Sequence, residues 1–170
     1  MQVSVLAMRL AVCITLLMLL AATTVAKSWH GIVPLHSTRA EVRRLLGKPV
    51  IADGHIELFE SEAGHVQVMY ARKPCEIGLP ADWGNWNVQP DTVVNVTITL
   101  NSILRLRELK IRNLKKLKWY TDKSGATYYH DAVRGIEYQV EGHLVTAITY
   151  GPGAADKQLR CKAHQPRIRY

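Results

Sequence analysis

The 170-residue sequence contains no internal repeat, which excludes solenoid and propeller architectures. It has no glycine-rich phosphate loop. Gly151-Pro152-Gly153 follows a strand-like run, but Pro152 removes a donor and no helix pattern follows. His30, His36, His55, His65, His130, His143 and His164 include no pair at the i, i+4 spacing of a zinc helix. They read as scattered surface or edge-strand residues, and neither a metal nor any other cofactor is expected. Cysteine is scarce at three residues, and acids are the minority sign, 14 against 22 basic residues for a net charge of +8. Only 7 prolines and 21% charged residues exclude a wholly disordered chain, and 48% hydrophobic residues suffice for one domain core.

The N-terminus carries an address. Residues 1–9 hold one charge, Arg9, and residues 10–20 are apolar except for Thr15. Thr24-Val25-Ala26 places small residues where a signal peptidase inspects the chain, just before Lys27. The expectation is a signal peptide over 1–26 and a single exported domain over 27–170, with an uncleaved membrane anchor as the alternative. Cys13 lies inside the apolar run, away from a lipoprotein position. The exported part then retains Cys75 and Cys161. Oxidising surroundings favour a disulfide between them, clamping the C-terminal tail, over a nucleophilic Cys75.

Patterning predicts one helix and several strands. Thr38-Arg39-Ala40-Glu41 is a capping box; Val42, Leu45 and Leu46 follow at helical spacing, and Gly47 with Pro49 ends the run. Ile56/Leu58 and Val66/Val68/Tyr70 alternate about Ser61-Glu62-Ala63-Gly64, a hairpin. Val94, Val96, Ile98 and Leu100 form a third strand. Ile136/Tyr138/Val140 and the run from Leu144 to Tyr150 form a second hairpin. Residues 72–91 read as a long loop carrying Trp83 and Trp86, and residues 103–118 as a strand end and a turn in preference to an amphipathic helix.

Candidate chemistry is sparse. Glu57, Glu60 and Glu62 offer paired carboxylates, although their strand alternation points to a solvated face. Trp83, Trp86, Tyr128 and Tyr129 offer stacking surfaces for sugars or bases, against the alternative that the tryptophans anchor their loop. Asn95-Val96-Thr97 matches a glycosylation acceptor but falls mid-strand. Charge is segregated: Arg105, Arg107, Lys110, Arg112, Lys115, Lys116 and Lys118 crowd one segment with a single acid, Glu108. That is a candidate binding patch for an anionic surface or an envelope protein, with a solvated basic face as the alternative.

Ile32-x-x-Leu35-x-x-Thr38-x-x-Glu41-Val42-x-x-Leu45-Leu46-Gly47-x-Pro49 resembles the opening of SmpA/OmlA-type (BamE-like) exported domains, with His36-Ser37 where a Gly-Met pair is usual. Pro74-Cys75-Glu76, Trp86-Asn87-Val88-x-Pro90-Asp91-Thr92 and Leu159-Arg160-Cys161 resemble a further group of exported bacterial proteins without an assigned activity. The resemblance implies the architecture shared with beta-lactamase inhibitor proteins, and a scaffold or binding role. The expected fold class is therefore α+β: a short N-terminal helical segment on an antiparallel sheet of four to six strands. The expected function is a non-catalytic cell-envelope binding or scaffold module with a basic patch. Its alternatives are a small envelope hydrolase using carboxylates or histidine, and a peripheral membrane protein binding anionic lipid through residues 101–118.

Overall fold

A computed structural model describes residues 28–76, 85–109, 111 and 114–162. The signal peptide expected over 1–26, Trp83, Lys110, Arg112 and the end of the tail lie outside the described residues, as does the side chain of Lys115.

The helix α1 (Arg39–Leu46) forms where the capping box places it. Thr38 Oγ1 accepts from the Glu41 amide at 3.3 Å, while the Glu41 carboxylate accepts from the Thr38 amide at 2.7 Å. Gly47, at φ 84°, ends the helix in a conformation that a side chain would strain. Eight residues cannot sustain a helix in water, so α1 exists by burying Val42 against the sheet.

That sheet has eight antiparallel strands. They are β1 (Ile51–Asp53), β2 (Ile56–Ser61), β3 (Gly64–Tyr70), β4 (Val93–Arg105), β5 (Lys118–Thr121), β6 (Thr127–Asp131), β7 (Ile136–Glu141) and β8 (Leu144–Tyr150). The spatial order is β1-β2-β3-β4-β8-β7-β6-β5, two four-stranded meanders joined where β4 pairs β8. Strand β4 serves both halves. Its first part pairs with β3 as well as β8, and a register irregularity between Thr99 and Leu104 carries its end along β8.

Alternation then sorts the faces. Val66, Val68 and Tyr70 of β3 and Val96 and Ile98 of β4 meet Phe59, Ile32 and Val42 in the first core. In the second half Ile136, Tyr138, Val140 and Val145 are buried under Leu104, Leu106, Leu109, Ile111 and Leu117. Those last residues come from the β4 end, the first of two short 3-10 turns (Leu106–Leu109 and Leu114–Lys116) and, with Ile111 and Leu117, the chain on either side of the second; they pack as a lid of apolar side chains. A third, smaller cluster of Leu35, Trp86, Val88 and Val94 forms where the β3–β4 connection crosses the other face.

The α+β expectation of four to six strands is corrected: the fold is mostly β, an eight-stranded antiparallel sheet with one short helix. The uncounted strands are the ones without an inside and an outside. Strand β1 is exposed at all three positions, β5 is exposed throughout, and β6 is half-buried throughout. Edge and near-edge strands of this kind leave no period-two apolar signal to read.

Candidate functional site

The polar face of the second half carries a cleft of about 540 Å³. Pairing register builds its floor. His130 opposes Glu137, Glu137 opposes Thr149, Thr149 opposes Thr97, and Tyr120 opposes Tyr128. All lie on the face opposite Ile148 and Tyr138, because side chains alternate along a strand. Asn95 lies two residues before Thr97, on the same face.

A covering segment makes this face a cleft. After β8 the chain runs through Gly151-Pro152-Gly153 into a 3-10 segment (Ala154–Leu159) and lies across the sheet. Its backbone touches the β6–β7 turn directly. Gly151 N donates to Gly135 O at 2.7 Å, and a Cβ on Gly135 would come within 2.2 Å of Gly151 O. Asp156, 2% exposed, accepts from Gly153 N at 2.8 Å and meets His36 Nε2 at 3.3 Å. The far end is tied to the β3–β4 connection: Asn87 N donates to Leu159 O, Cys161 N to Asn85 O, and Cys75 is joined to Cys161 by a disulfide. Trp86 bridges Arg160, whose guanidinium sits 4.3 Å over the indole. The disulfide therefore holds one wall of the cleft.

The aromatic end is fixed by a turn. Asp122 accepts from the Ser124 hydroxyl (2.6 Å) and amide (2.9 Å), from the Ala126 amide (3.1 Å) and from the Tyr128 hydroxyl (3.1 Å). These bonds, led by that from the Ser124 hydroxyl, hold its carboxyl below the usual carboxylate range. Burial first, and then the bond to Asp122, raise the Tyr128 phenol. The Tyr120 and Tyr128 rings stack at 4.8 Å with 8° between planes. Elsewhere in the cleft His130 Nδ1 lies 3.8 Å from Glu137 Oε2, and the Thr149 hydroxyl is shared with Thr97 at 3.0 Å. Two residues of the lining, each 5% exposed, hold a buried polar atom with no hydrogen-bond partner among the described residues: Trp86 at Nε1 and Asn95 at Oδ1. Leaving such an atom unpaired costs about 1–3 kcal/mol.

The other candidate residues fall elsewhere. Glu57 is not on a solvated face. It is fully buried, and its carboxylate accepts from Arg39, Arg43 and Tyr70, while Glu60 stays exposed and pairs with His65 at 2.9 Å. Every oxygen of Glu57 is engaged, so this cluster pins α1 to the sheet and has nothing to offer a substrate. Among the basic residues, Arg105 ends β4 and contacts Glu108 at 3.7 Å, Arg107 is exposed in the first 3-10 turn, and Lys116 and Lys118 are exposed beyond it. The described residues of the segment contain no long helix, and Leu104, Leu106, Leu109 and Leu117 pack on the core. No group of three or more His, Cys, Asp or Glu side chains among the described residues is placed to hold a metal. Nor is any helix among them long and apolar enough to cross a membrane; with the disulfide, this fits an exported protein.

Sequence reasoning named Trp86 and Tyr128 but missed Asn95, His130, Glu137 and Arg160 as one site. Alternation places Asn95 opposite the core, yet only the returning tail shows that its side is covered. No protein-family model, curated protein or solved structure matches the chain.

Proposed function

We propose that the chain is an exported, non-catalytic binding module of the cell envelope, and that the cleft over the polar face of the sheet is where it takes its ligand. One observation carries this reading: a 540 Å³ cleft lined by Trp86 and Asn95, each of which keeps a buried polar atom, Nε1 and Oδ1, without a partner among the described residues. Cavities of roughly 300–1,000 Å³ house small organic ligands, and folding does not retain unpaired polar atoms without compensation. The cleft, not the basic segment 101–118, is the site favoured here, because Leu104, Leu106, Leu109, Ile111 and Leu117 of that segment pack on the core and its described residues form no amphipathic helix to lie in a bilayer.

The hydrolase reading draws on His130 and Glu137 meeting inside the cleft. Against it, the two are direct cross-strand neighbours on β6 and β7, where facing polar side chains pair for stability, and the nearby Thr149 hydroxyl is already shared. Amide-resolved NMR with a panel of small organic fragments tests both. Binding shifts signals from residues 120–137 and 149–160 and leaves the fragments intact. Shifts confined to residues 105–118, or none, overturn the cleft; turnover of ester or glycoside fragments, lost in Glu137→Gln, establishes the enzyme.

A further inference from the structure

Strand β5 ends the sheet: it pairs with β6, and no strand among the described residues lies on its other side. The adjoining turn fixes which of its backbone groups point outward. Asp122 N donates to Ala126 O at 3.0 Å, which makes Asp122 and Ala126 a hydrogen-bonded pair. Such pairs alternate along an antiparallel ladder, so Tyr120–Tyr128 and Lys118–His130 are also hydrogen-bonded. The amides and carbonyls of Trp119 and Thr121 therefore face away from β6. Natural edges are blunted with proline, bulges or charge. This one has a single charge, Lys118, and presents Trp119, 66% exposed, on one face and Tyr120, 52% exposed, on the other. Lys118 begins the strand and Asp122 follows its end, both on the face of Tyr120.

We propose that β5 pairs antiparallel with β5 of a second copy of this chain, about a two-fold axis at Tyr120. A two-fold relating antiparallel strands stands perpendicular to the sheet and pairs residues of the same face. Centred on Tyr120, it sets Trp119 opposite Thr121 of the second copy on both sides of the axis, and the outward amides and carbonyls of both residues bond. Centred on Trp119, it would call on Leu117, whose amide already donates to Leu114 O at 3.0 Å. Centred on Thr121, it would pair Trp119 with Lys123, which lies within the β5–β6 turn. Charge selects the same register. Lys118 of each copy faces Asp122 of the other, while the two copies' Lys118 stand about 13 Å apart along the strands, beyond the Debye length of about 8 Å at physiological salt. Tyr120 meets Tyr120 of the second copy and extends the stack with Tyr128; on the opposite face the two copies' Trp119 are diagonal neighbours, within reach of aromatic rings. Tyr120 and Asp122 line the cleft, so Lys118 of the second copy arrives at its rim. The pairing stands whether or not the cleft takes a ligand, since it draws only on the strand edge and its charges.

Sedimentation equilibrium of the oxidised protein over a concentration series tests this. The mass is expected to rise from one chain to two and stop there, because a two-fold pairing is closed. Thr121→Pro deletes an amide that points outward and leaves the bonds to β6 in place, a position where an edge strand tolerates proline, and it should abolish the dimer. Lys118→Glu sets like charges opposite each other twice and should weaken the dimer about tenfold. Lys118 is exposed and outside the core, so this variant keeps the test decisive if Thr121→Pro fails to fold. A protein that stays monomeric at every concentration, or assembles beyond two chains, overturns the proposal. So does a dimer that survives Thr121→Pro, or one that Lys118→Glu leaves as tight as before.

Discussion

Replacing Glu57 by glutamine should be among the most damaging single changes in the first half of the molecule. Its carboxylate is fully buried and accepts from Arg39 Nη1 at 3.1 Å, Arg43 Nε at 3.0 Å and the Tyr70 hydroxyl at 3.0 Å, with Arg43 Nη2 also in contact. Arg39 extends the cluster to Asp91 (2.9 Å) and the Gly54 carbonyl (2.8 Å), and lies 4.2 Å over the Tyr70 ring. Removing one member of a buried ion pair typically costs about 3–5 kcal/mol. Arg43 is 49% exposed and Arg39 keeps two other acceptors, so water and those partners absorb part of the loss, and about 3 kcal/mol is expected. The effect has a pH signature. Burial pushes the Glu57 carboxyl up, but the hydrogen bonds from Arg43, Tyr70 and Arg39 outweigh it and hold the group below its ordinary value. A depressed carboxyl contributes stability above its unfolded value and loses that contribution as pH falls through the lower folded value. Urea unfolding followed by tryptophan fluorescence, on oxidised wild-type and Glu57→Gln proteins at neutral and acid pH, measures it. The gap should be near its full size at neutral pH and close at acid pH, once wild-type Glu57 is protonated. A gap below 1 kcal/mol at neutral pH, or one that acid leaves unchanged, refutes the ionic account.

Other outcomes follow from the cleft wall. Reducing the Cys75–Cys161 disulfide opens a constraint across 86 sequence positions, and by loop-closure entropy should cost about 4–5 kcal/mol, lowering the melting temperature by roughly 10–15 °C; equal melting of oxidised and reduced protein would contradict this. Gly135→Ala drives a Cβ into the Gly151 carbonyl and should cost about 3 kcal/mol or block folding, whereas Gly125→Ala, with nothing near its Cβ at φ 90°, should cost about 1 kcal/mol. Thermal melts of the two variants compare them directly. Asp156→Ala strips the Gly153 amide of its buried acceptor and should cost about 1–2 kcal/mol, with faster amide exchange at 151–160 as the confirming readout.

Local signals were legible where one turn or one strand decides the outcome. The Thr38/Glu41 box and Gly47 define α1 because capping involves groups within four residues of one another. Hairpins β2–β3 and β7–β8 and the run of β4 were readable from alternating apolar residues, since each strand has one face in a core. The same rule passes over β5 and β6. Lys118–Thr121 is exposed on both sides, and Thr127–Asp131 has neither a clearly buried nor a clearly exposed face. Glu57 was misplaced for a related reason. Its strand reads polar at that position, and only the helix packed above it delivers Arg39 and Arg43, one helical turn apart, to make burial affordable.

The sequence by itself determined the short helix, the two hairpins, the segregation of charge and the pair of cysteines at 75 and 161, all features set by neighbours along the chain or by composition. Tertiary structure alone decided the cleft. Asn95, Tyr128 and Arg160 come from three distant segments, and they share a cavity because β4 joins two meanders and a disulfide folds the tail back over their polar face. Strand periodicity reports which face a residue takes, and says nothing of what later in the chain returns to cover that face.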